Sequence, residues 1–567
     1  MYLNNQIMIE KFLRVGPSKL LLLILVLNFL ILVTKPINLI TADLGRHIEN
    51  GRILINGHLN QKLAVLNTNY YSYTQPHQEF LNHHWGSGVI FYIIYVFFGF
   101  TGTAFFYSTV LTVSFLLSIY LSIKKSGYLL TLLIASIMLP LITSRSEIRP
   151  EAFTYLFTNL FFLILWETDS KKSCYGKVKI RNIVKEIDKK LWLLPLLMLF
   201  WVNLHIGFLF GFLLVCAYAF KELVNYLLKK DNNFYQLIVI GVLTFICGAV
   251  NPFFLEGLAA PLKIFENYGY LVVENQSINF LENLGFYINP NLSFFKIISL
   301  FLFLSLITFV TVSMAAKVTK DSAFLSKFDT TLLNNLILLI FFFISFNGIR
   351  HFPSFGFLAI PILATNIKYV CTFISTIFPK NIYKNIAQIS FLSIMLLFTL
   401  STVWQFQNHK NEFAILDFGL KKNVSNAGDF FTLKKIHGPI FNNYDIGGYL
   451  IYYLNKNKKV NSLNRQVFVD NRPEAYTVDF FQNTYIPMQS DDSKWMKLDK
   501  IYNFNTIVFS HNDYTPWGQN FLKNRINDKN WSVVYYDEHA IIFLKNNEKN
   551  KVLISRYEIS KNIFSFQ

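Results

Sequence analysis

Apolar runs of membrane-crossing length recur along most of this chain, separated by polar stretches of two alternating kinds. A hydrocarbon core takes roughly 20 helical residues to cross, and backbone inside it must satisfy its own hydrogen bonds, so runs of this kind restrict the chain to a helical bundle. One kind of polar stretch is rich in lysine, as at Lys124-Lys125, Lys229-Lys230 and throughout 171–190. The other carries arginine, histidine, asparagine and acids. Basic residues collect on the cytoplasmic side, which assigns the lysine stretches inward and the others outward.

Applied run by run, this rule places spans at 20–33, 103–123, 129–142, 152–166, 191–202, 207–228, 237–250, 294–312, 332–346, 355–374 and 389–403, about eleven in all by the usual length criterion. The run at 85–100 is aromatic but short and interrupted by glycine, which reads as an interfacial helix. The expectation is a multi-pass protein of the cell (inner or plasma) membrane with a cytoplasmic N-terminus. Residues 1–404 form the transmembrane domain, with outer loops at 40–88 and 251–291. Residues 405–567 form an extracytoplasmic α/β domain. Its apolar runs shorten to strand length at 439–442, 466–470, 506–510, 531–536 and 540–544, and amphipathic stretches lie between them, predicting a largely parallel sheet with a final hairpin. The net charge of +18 would raise nucleic acid as a partner of a soluble protein. Here topology and anionic lipid account for the lysines, and nucleic acid is excluded. The cysteines are Cys174, Cys216, Cys247 and Cys371, so no disulfide supports the C-terminal part.

If that topology holds, the chemically interesting residues share one side of the membrane. Asp43 stands just past the first span, His47 lies four residues later on the same helical face, where it would orient Asp43, and Arg145, Arg149, His205, Arg350 and His351 fall in successive outer turns. Arginine matches phosphate oxygens with a planar fork of donors, so an arginine-lined outer surface points to a lipid phosphate or diphosphate. An acid beside it supplies a base or a metal ligand. Together they suggest glycosyl transfer from a polyprenyl-phosphate carrier, in which the phosphate leaves and the acid activates the acceptor. The competing reading of Asp43 is a helix N-cap, with His47 an ordinary exposed side chain. Adjacent histidines on a helix point apart, so the pair His83-His84 reads as a weak metal ligand, and Trp85 as an interface anchor.

Several short patterns carry a resemblance. Asp43-x-Gly45-x-His47-Ile48-x-x-Gly51, Asn82-His83-His84-Trp85, Arg149-Pro150-Glu151-x-Phe153, Trp201-x-Asn203-Leu204-His205-x-Gly207, Asn251-Pro252 and Arg350-His351-Phe352 are similar to the recurring pattern of a bacterial group within the GT-C superfamily of membrane glycosyltransferases. That superfamily includes protein O-mannosyltransferases, aminoarabinose transferases and oligosaccharyltransferase catalytic subunits. The resemblance implies a GT-C-like fold, a polyprenyl-phospho-sugar donor, and Asp43 as the catalytic acid of the first outer loop. The stretch Asn443-Tyr444-Asp445-Ile446-Gly447-Gly448, with Asp470-Asn471-Arg472 beyond it, is similar in placement to the acceptor-recognising W-W-D-Y-G motif of oligosaccharyltransferases, without its two tryptophans. By that resemblance Asp445, Asp470 and Arg472 bind the acceptor. The competing reading of Asp445 is a cap on the helix that follows. A paired-acid metal motif is not cleanly present in the second outer loop, where Arg145-Ser146-Glu147 offers one acid, and dependence on a divalent metal stays open.

The expectation is therefore an integral membrane glycosyltransferase that moves a sugar from a polyprenyl-phosphate-linked donor to an extracytoplasmic lipid, glycan or protein. The alternatives are a transporter or lipid flippase, and a non-catalytic membrane scaffold. Transport predicts broken helices or acids near the bilayer centre, whereas these polar groups gather at one surface.

Overall fold

The computed structural model describes residues 2–169, 187–228, 233–264, 268–284, 289–318, 322–377, 417–456 and 466–564. The first apolar run lies in α1 (Tyr2–Val33); after a non-helical stretch at 34–43 the chain forms α2 (Leu44–Asn56) and α3 (Leu59–Asn67). Segment 40–88 is thus a small helical unit, drawn together by a bridge between Thr68 and Glu79. α4 (Trp85–Ser126) bends at Gly99, whose φ of 63° leaves helical geometry. A positive φ costs glycine little, which puts the bend there. The bend divides the arm expected at 85–100 from the span expected at 103–123.

The bundle continues through α5 (Tyr128–Ile142), α6 (Glu151–Asp169), α7 (Leu193–Leu204), α8 (Leu209–Leu227), α9 (Phe234–Gly248), α10 (Phe254–Lys263), α11 (Ile278–Glu282), α12 (Pro290–Val318), α13 (Ser322–Asn347) and α14 (Phe352–Ile377). Among the described residues, five helical stretches are long and apolar enough to cross a membrane, starting at Trp85, Ile206, Pro290, Phe328 and Ile349. Shorter apolar helices cover Ser18–Val33, Tyr128–Ile142, Leu193–Leu204 and Phe234–Gly248. Each expected span within the described residues falls on a helix. The run at 389–403 and most of the lysine loop at 171–190 lie outside them.

Two glycines let α2 press between its neighbours. A Cβ on Gly51 would stand 2.2 Å from the carbonyl oxygen of Gly88 in α4, and one on Gly45 2.7 Å from that of Gly448. Both distances are too short for any side chain, so α2 is held backbone to backbone on two sides.

The C-terminal part contains α15 (Asn426–Leu433), β1 (Ile440–Asn442), α16 (Gly447–Lys456), α17 (Ile486–Ser490), α18 (Asp492–Tyr502), β2 (Thr506–Phe509), α19 (Pro516–Asn527), β3 (Trp531–Tyr536), β4 (Ile541–Lys545) and α20 (Lys551–Tyr557). The sheet order is β1-β2-β4-β3. β1 runs parallel to β2, with Phe441 opposite Ile507, while β4 is antiparallel to both β2 and β3. The expected hairpin is present, but the sheet is mixed rather than largely parallel. β2 is buried along its whole length, as is β4 from Ile541 to Leu544. The expectation rested on helices alternating with strands, but the final hairpin places β4 between β2 and β3, so the crossover through α19 does not bring those two strands side by side. The strand expected at 466–470 does not join this sheet. Val467 bridges Ser72 instead, tying the C-terminal part to segment 40–88. One hydrophobic cluster runs from the membrane helices into Tyr449, Leu450 and Ile451 of α16. A second, rich in aromatic rings, fills the sheet side around Phe441, Phe468 and Trp495.

Candidate active site

The packing of α2 against α16 leaves a cavity of about 340 Å³ where the first turn of α2, the turns before α4, α6, α8 and α14, segment 268–275 and three C-terminal turns converge. Seven of the residues expected at a site line it: Asp43, His47, Arg149, His205, Arg350, Asp445 and Arg472.

Asp43 directly precedes α2, yet its carboxylate makes no capping hydrogen bond. It accepts instead from the side-chain amide of Asn471 and faces Arg46 across 3.6 Å. Burial raises its pKa above the ordinary value, against the opposing pull of Arg149 and Arg46. His47 lies one turn on, its amide bonded to the Asp43 carbonyl at 3.1 Å, but neither ring nitrogen has a hydrogen-bond partner. The Asp43 carboxylate is oriented by Asn471 and Arg46, not by His47.

Arg145, Arg149 and Arg350 form a chain of ion pairs with nearby acids. Arg350 reaches Glu151 at 2.7 Å, Arg145 reaches Glu151 at 3.1 Å and Glu274 at 3.3 Å, and Arg149 reaches Glu274 at 2.5 Å and Glu147 at 3.3 Å. Burial would raise Glu274, but Arg149 and Arg145 outweigh it and bring its carboxyl down to about 2. Arg145 belongs to this chain but lines a neighbouring cavity of about 390 Å³, with Lys35 and Lys421, rather than this one. Arg46 and Arg149 each keep a buried Nε–H without a partner. His351 packs its ring edge-on to Phe210 with centroids 5.6 Å apart and is not part of the cavity lining.

The C-terminal residues divide in the same way. Arg472 forks onto Asp470 through bonds of 2.8 and 2.6 Å, reaches Asn69 at 2.8 Å and lies over the ring of Phe80. Asp470 is fully buried in this pairing, which locks segment 40–88 to the C-terminal part. Asp445 stands in the turn between β1 and α16, where burial and then the nearby Asp513 push its pKa up to about 7.

Four imidazoles, His47, His83, His84 and His205, line another part of the cavity. His83 and His84 occupy the turn before α4 rather than a helix, so their rings meet with centroids 3.9 Å apart instead of pointing away from each other. Trp85, expected as an interface anchor, donates from Nε1 to Asn203 at 3.1 Å. Among the described residues no group of three His, Cys, Asp or Glu side chains is placed to hold a metal ion.

Sequence reasoning missed Glu274 and Asn471. Glu274 is one of several acids in the stretch 251–291, and its arginine partners lie 125 and 129 residues away. Asn471 sits inside the quoted Asp470-Asn471-Arg472 stretch without any local sign of its role.

No family model and no curated protein matches the chain. Among solved structures it is similar to the archaeal oligosaccharyltransferase AglB from Archaeoglobus fulgidus, in complex with an inhibitory peptide and a dolichol-phosphate. The TM-score is 0.48 and the identity 11%, over 94% of this chain and 74% of that one.

Proposed function

We propose that this chain is a membrane glycosyltransferase of GT-C type that moves a sugar from a polyprenyl-phosphate-linked donor to an extracytoplasmic acceptor. The observation that carries the reading is Asp43: a cavity carboxylate that caps nothing, is held by Asn471 and Arg46, and has a raised pKa. An acid held this way suits proton removal better than structural pairing.

In the proposed reaction an acceptor hydroxyl or amine attacks the anomeric carbon while Asp43 takes its proton. The bond between that carbon and the phosphate oxygen breaks, and the electron pair leaves with the lipid phosphate. The unpartnered Nε–H groups of Arg46 and Arg149 meet the charge of the leaving group, and the guanidinium of Arg350 contacts the same phosphate from the far end of the ion-pair chain. Asp445 faces the same space from the C-terminal part and contacts the acceptor. Arg472 lines the cavity floor, and Asp470 fixes it there. Arg145, a turn away, holds Glu151 and Glu274 in position.

The test is turnover by the purified full chain on polyprenyl-phospho-sugars, followed as release of polyprenyl phosphate. It is paired with mass spectrometry of envelope glycans and glycoproteins from cells with and without the protein. Release of the carrier together with a missing envelope sugar supports the reading. A chain that binds no polyprenyl phosphate and alters no envelope sugar would remove it.

A further inference from the structure

The cavity has a second chemical character that the transfer scheme does not use. His47, His83, His84 and His205 form one wall. His84 and His205 stack with centroids 5.1 Å apart and ring planes 3° apart, and His47 lies 5.8 Å from His84. Both ring nitrogens of His47, Nδ1 of His84 and Nε2 of His205 are buried without a hydrogen-bond partner. Buried polar atoms are nearly always satisfied, so a group of unpartnered nitrogens in a cavity wall points to a ligand that completes them.

The bonds these rings do make fix two of the roles. Trp201 Nε1–H donates to the Thr154 hydroxyl oxygen at 3.1 Å, which leaves the hydroxyl proton for His205 Nδ1 at 2.6 Å. His205 Nδ1 also accepts from the Gly207 amide at 3.1 Å. The proton of neutral His205 therefore sits on Nε2, a free donor. His83 donates from Nδ1 to the Leu81 carbonyl at 3.0 Å, which leaves its Nε2 a bare acceptor. Burial pushes all four rings down, His83 to about 4 and His205 to about 3, so the wall is uncharged at neutral pH.

Donors and acceptors side by side, without charge, suit one kind of ligand. A hydroxyl gives and takes a hydrogen bond, whereas a phosphate oxygen only takes and is repelled by a bare ring nitrogen. A metal ion fits poorly, because imidazole binds metal in its own plane and two stacked parallel rings cannot aim at one ion. We propose that this imidazole wall is the sugar subsite and takes the ring hydroxyls of an uncharged hexose, beside the guanidinium end that takes the phosphate. This rests on the reading of the cavity as a lipid-sugar site.

The experiment measures binding to the full chain in nanodiscs of three probes: polyprenyl phosphate, polyprenyl-phosphohexose, and a methyl hexoside alone. The wild type should bind the phosphohexose about tenfold more tightly than the bare carrier. His84→Phe keeps the stacked ring and removes its nitrogens, so the two lipids should come within about twofold of each other with the bare carrier unchanged. His47→Leu removes two nitrogens that bond nothing within the protein, and it serves if His84→Phe does not fold. Equal affinity for the two lipids in the wild type, or a tenfold preference that survives both substitutions, overturns the subsite, as does a zinc ion bound in the wild type and lost in His84→Phe. If neither lipid binds but the methyl hexoside does, and His84→Phe abolishes it, the donor-lipid reading fails and the sugar subsite stands. If the hexoside fails as well, both fall.

Discussion

Asn471 donates its side-chain amide to the Asp43 carboxylate, joining the C-terminal part to the first turn of α2 across 428 residues of chain. A helix cap would survive Asp43→Asn, since asparagine caps as well as aspartate. A base would not, and a positioned base is worth roughly two to four powers of ten. Asp43→Asn should leave the protein folded and binding donor while lowering transfer by about a hundredfold or more. Turnover measured beside thermal unfolding decides it, and near-full activity in a stable variant would remove Asp43 as the base.

The same bond predicts a shift in pH profile. A donor to the ionised carboxylate favours the charged form, so Asn471→Ala should raise the Asp43 pKa further. The base works only when deprotonated, and the acid limb of the rate profile should therefore move to higher pH, with kcat down about tenfold at neutrality. An unmoved limb would mean that Asn471 only packs.

Arg149 and Arg350 each divide their donors between neighbours: Arg149 reaches Glu274, Glu147 and the Thr41 carbonyl, and Arg350 reaches Glu151 and Asn275. A lysine ammonium keeps the charge but not the fork. Arg149→Lys and Arg350→Lys should each weaken binding of polyprenyl phosphate about tenfold, read by direct titration. Wild-type affinity in both would leave the arginines as struts of the ion-pair chain.

How much of this was visible beforehand follows from where the partners lie. Hydropathy alone places the helices, because a span is a local property of consecutive residues. Asp43, Arg149 and Asp445 were also legible, being polar residues at the ends of apolar runs or strands. Glu274 and Asn471 were not, since each matters only through partners more than a hundred residues away. The pairing of Asp470 with Arg472 is local, but that it locks onto Asn69 and Phe80 is not. Gly45 and Gly51 were visible as a pattern, yet only the approach of Gly448 and Gly88 gives them a purpose.

Asp445 provides a second titration, near neutrality. Its pKa is raised from the ordinary carboxyl range to about 7, by burial first and Asp513 second. A raised folded-state pKa means that the stabilisation is complete below the unfolded value, near 4, and is lost as pH rises toward 7. Asp445→Asn should flatten the fall in thermal stability between about pH 4 and pH 7. If Asp445 also holds the acceptor through its ionised form, the acceptor KM should improve as pH rises through 7 in the wild type and stay level in the variant. A wild-type KM that does not change across that range would separate Asp445 from the acceptor.

The last prediction concerns the glycines that hold α2 in place. Alanine in a helix interior ordinarily gains about 1 kcal/mol over glycine. At Gly51 the added Cβ would lie 2.2 Å from the Gly88 carbonyl oxygen, and backbone cannot swing aside as a side-chain tip would. Overpacking costs about 1–3 kcal/mol, and contact with unyielding backbone belongs to the upper part of that range, so the sign should reverse and Gly51→Ala should destabilise the protein by up to about 2 kcal/mol net. Because α2 carries Arg46 and His47 and begins at Asp43, the displaced helix should also lower transfer more than it lowers donor binding. Gly241 in α9 is the matched control: a Cβ there meets only Val215, at an ordinary 3.5 Å. Gly241→Ala should therefore be neutral or slightly stabilising. Thermal unfolding of the two variants side by side tests the close approach directly, and equal effects would show that α2 is not pinned by its glycines.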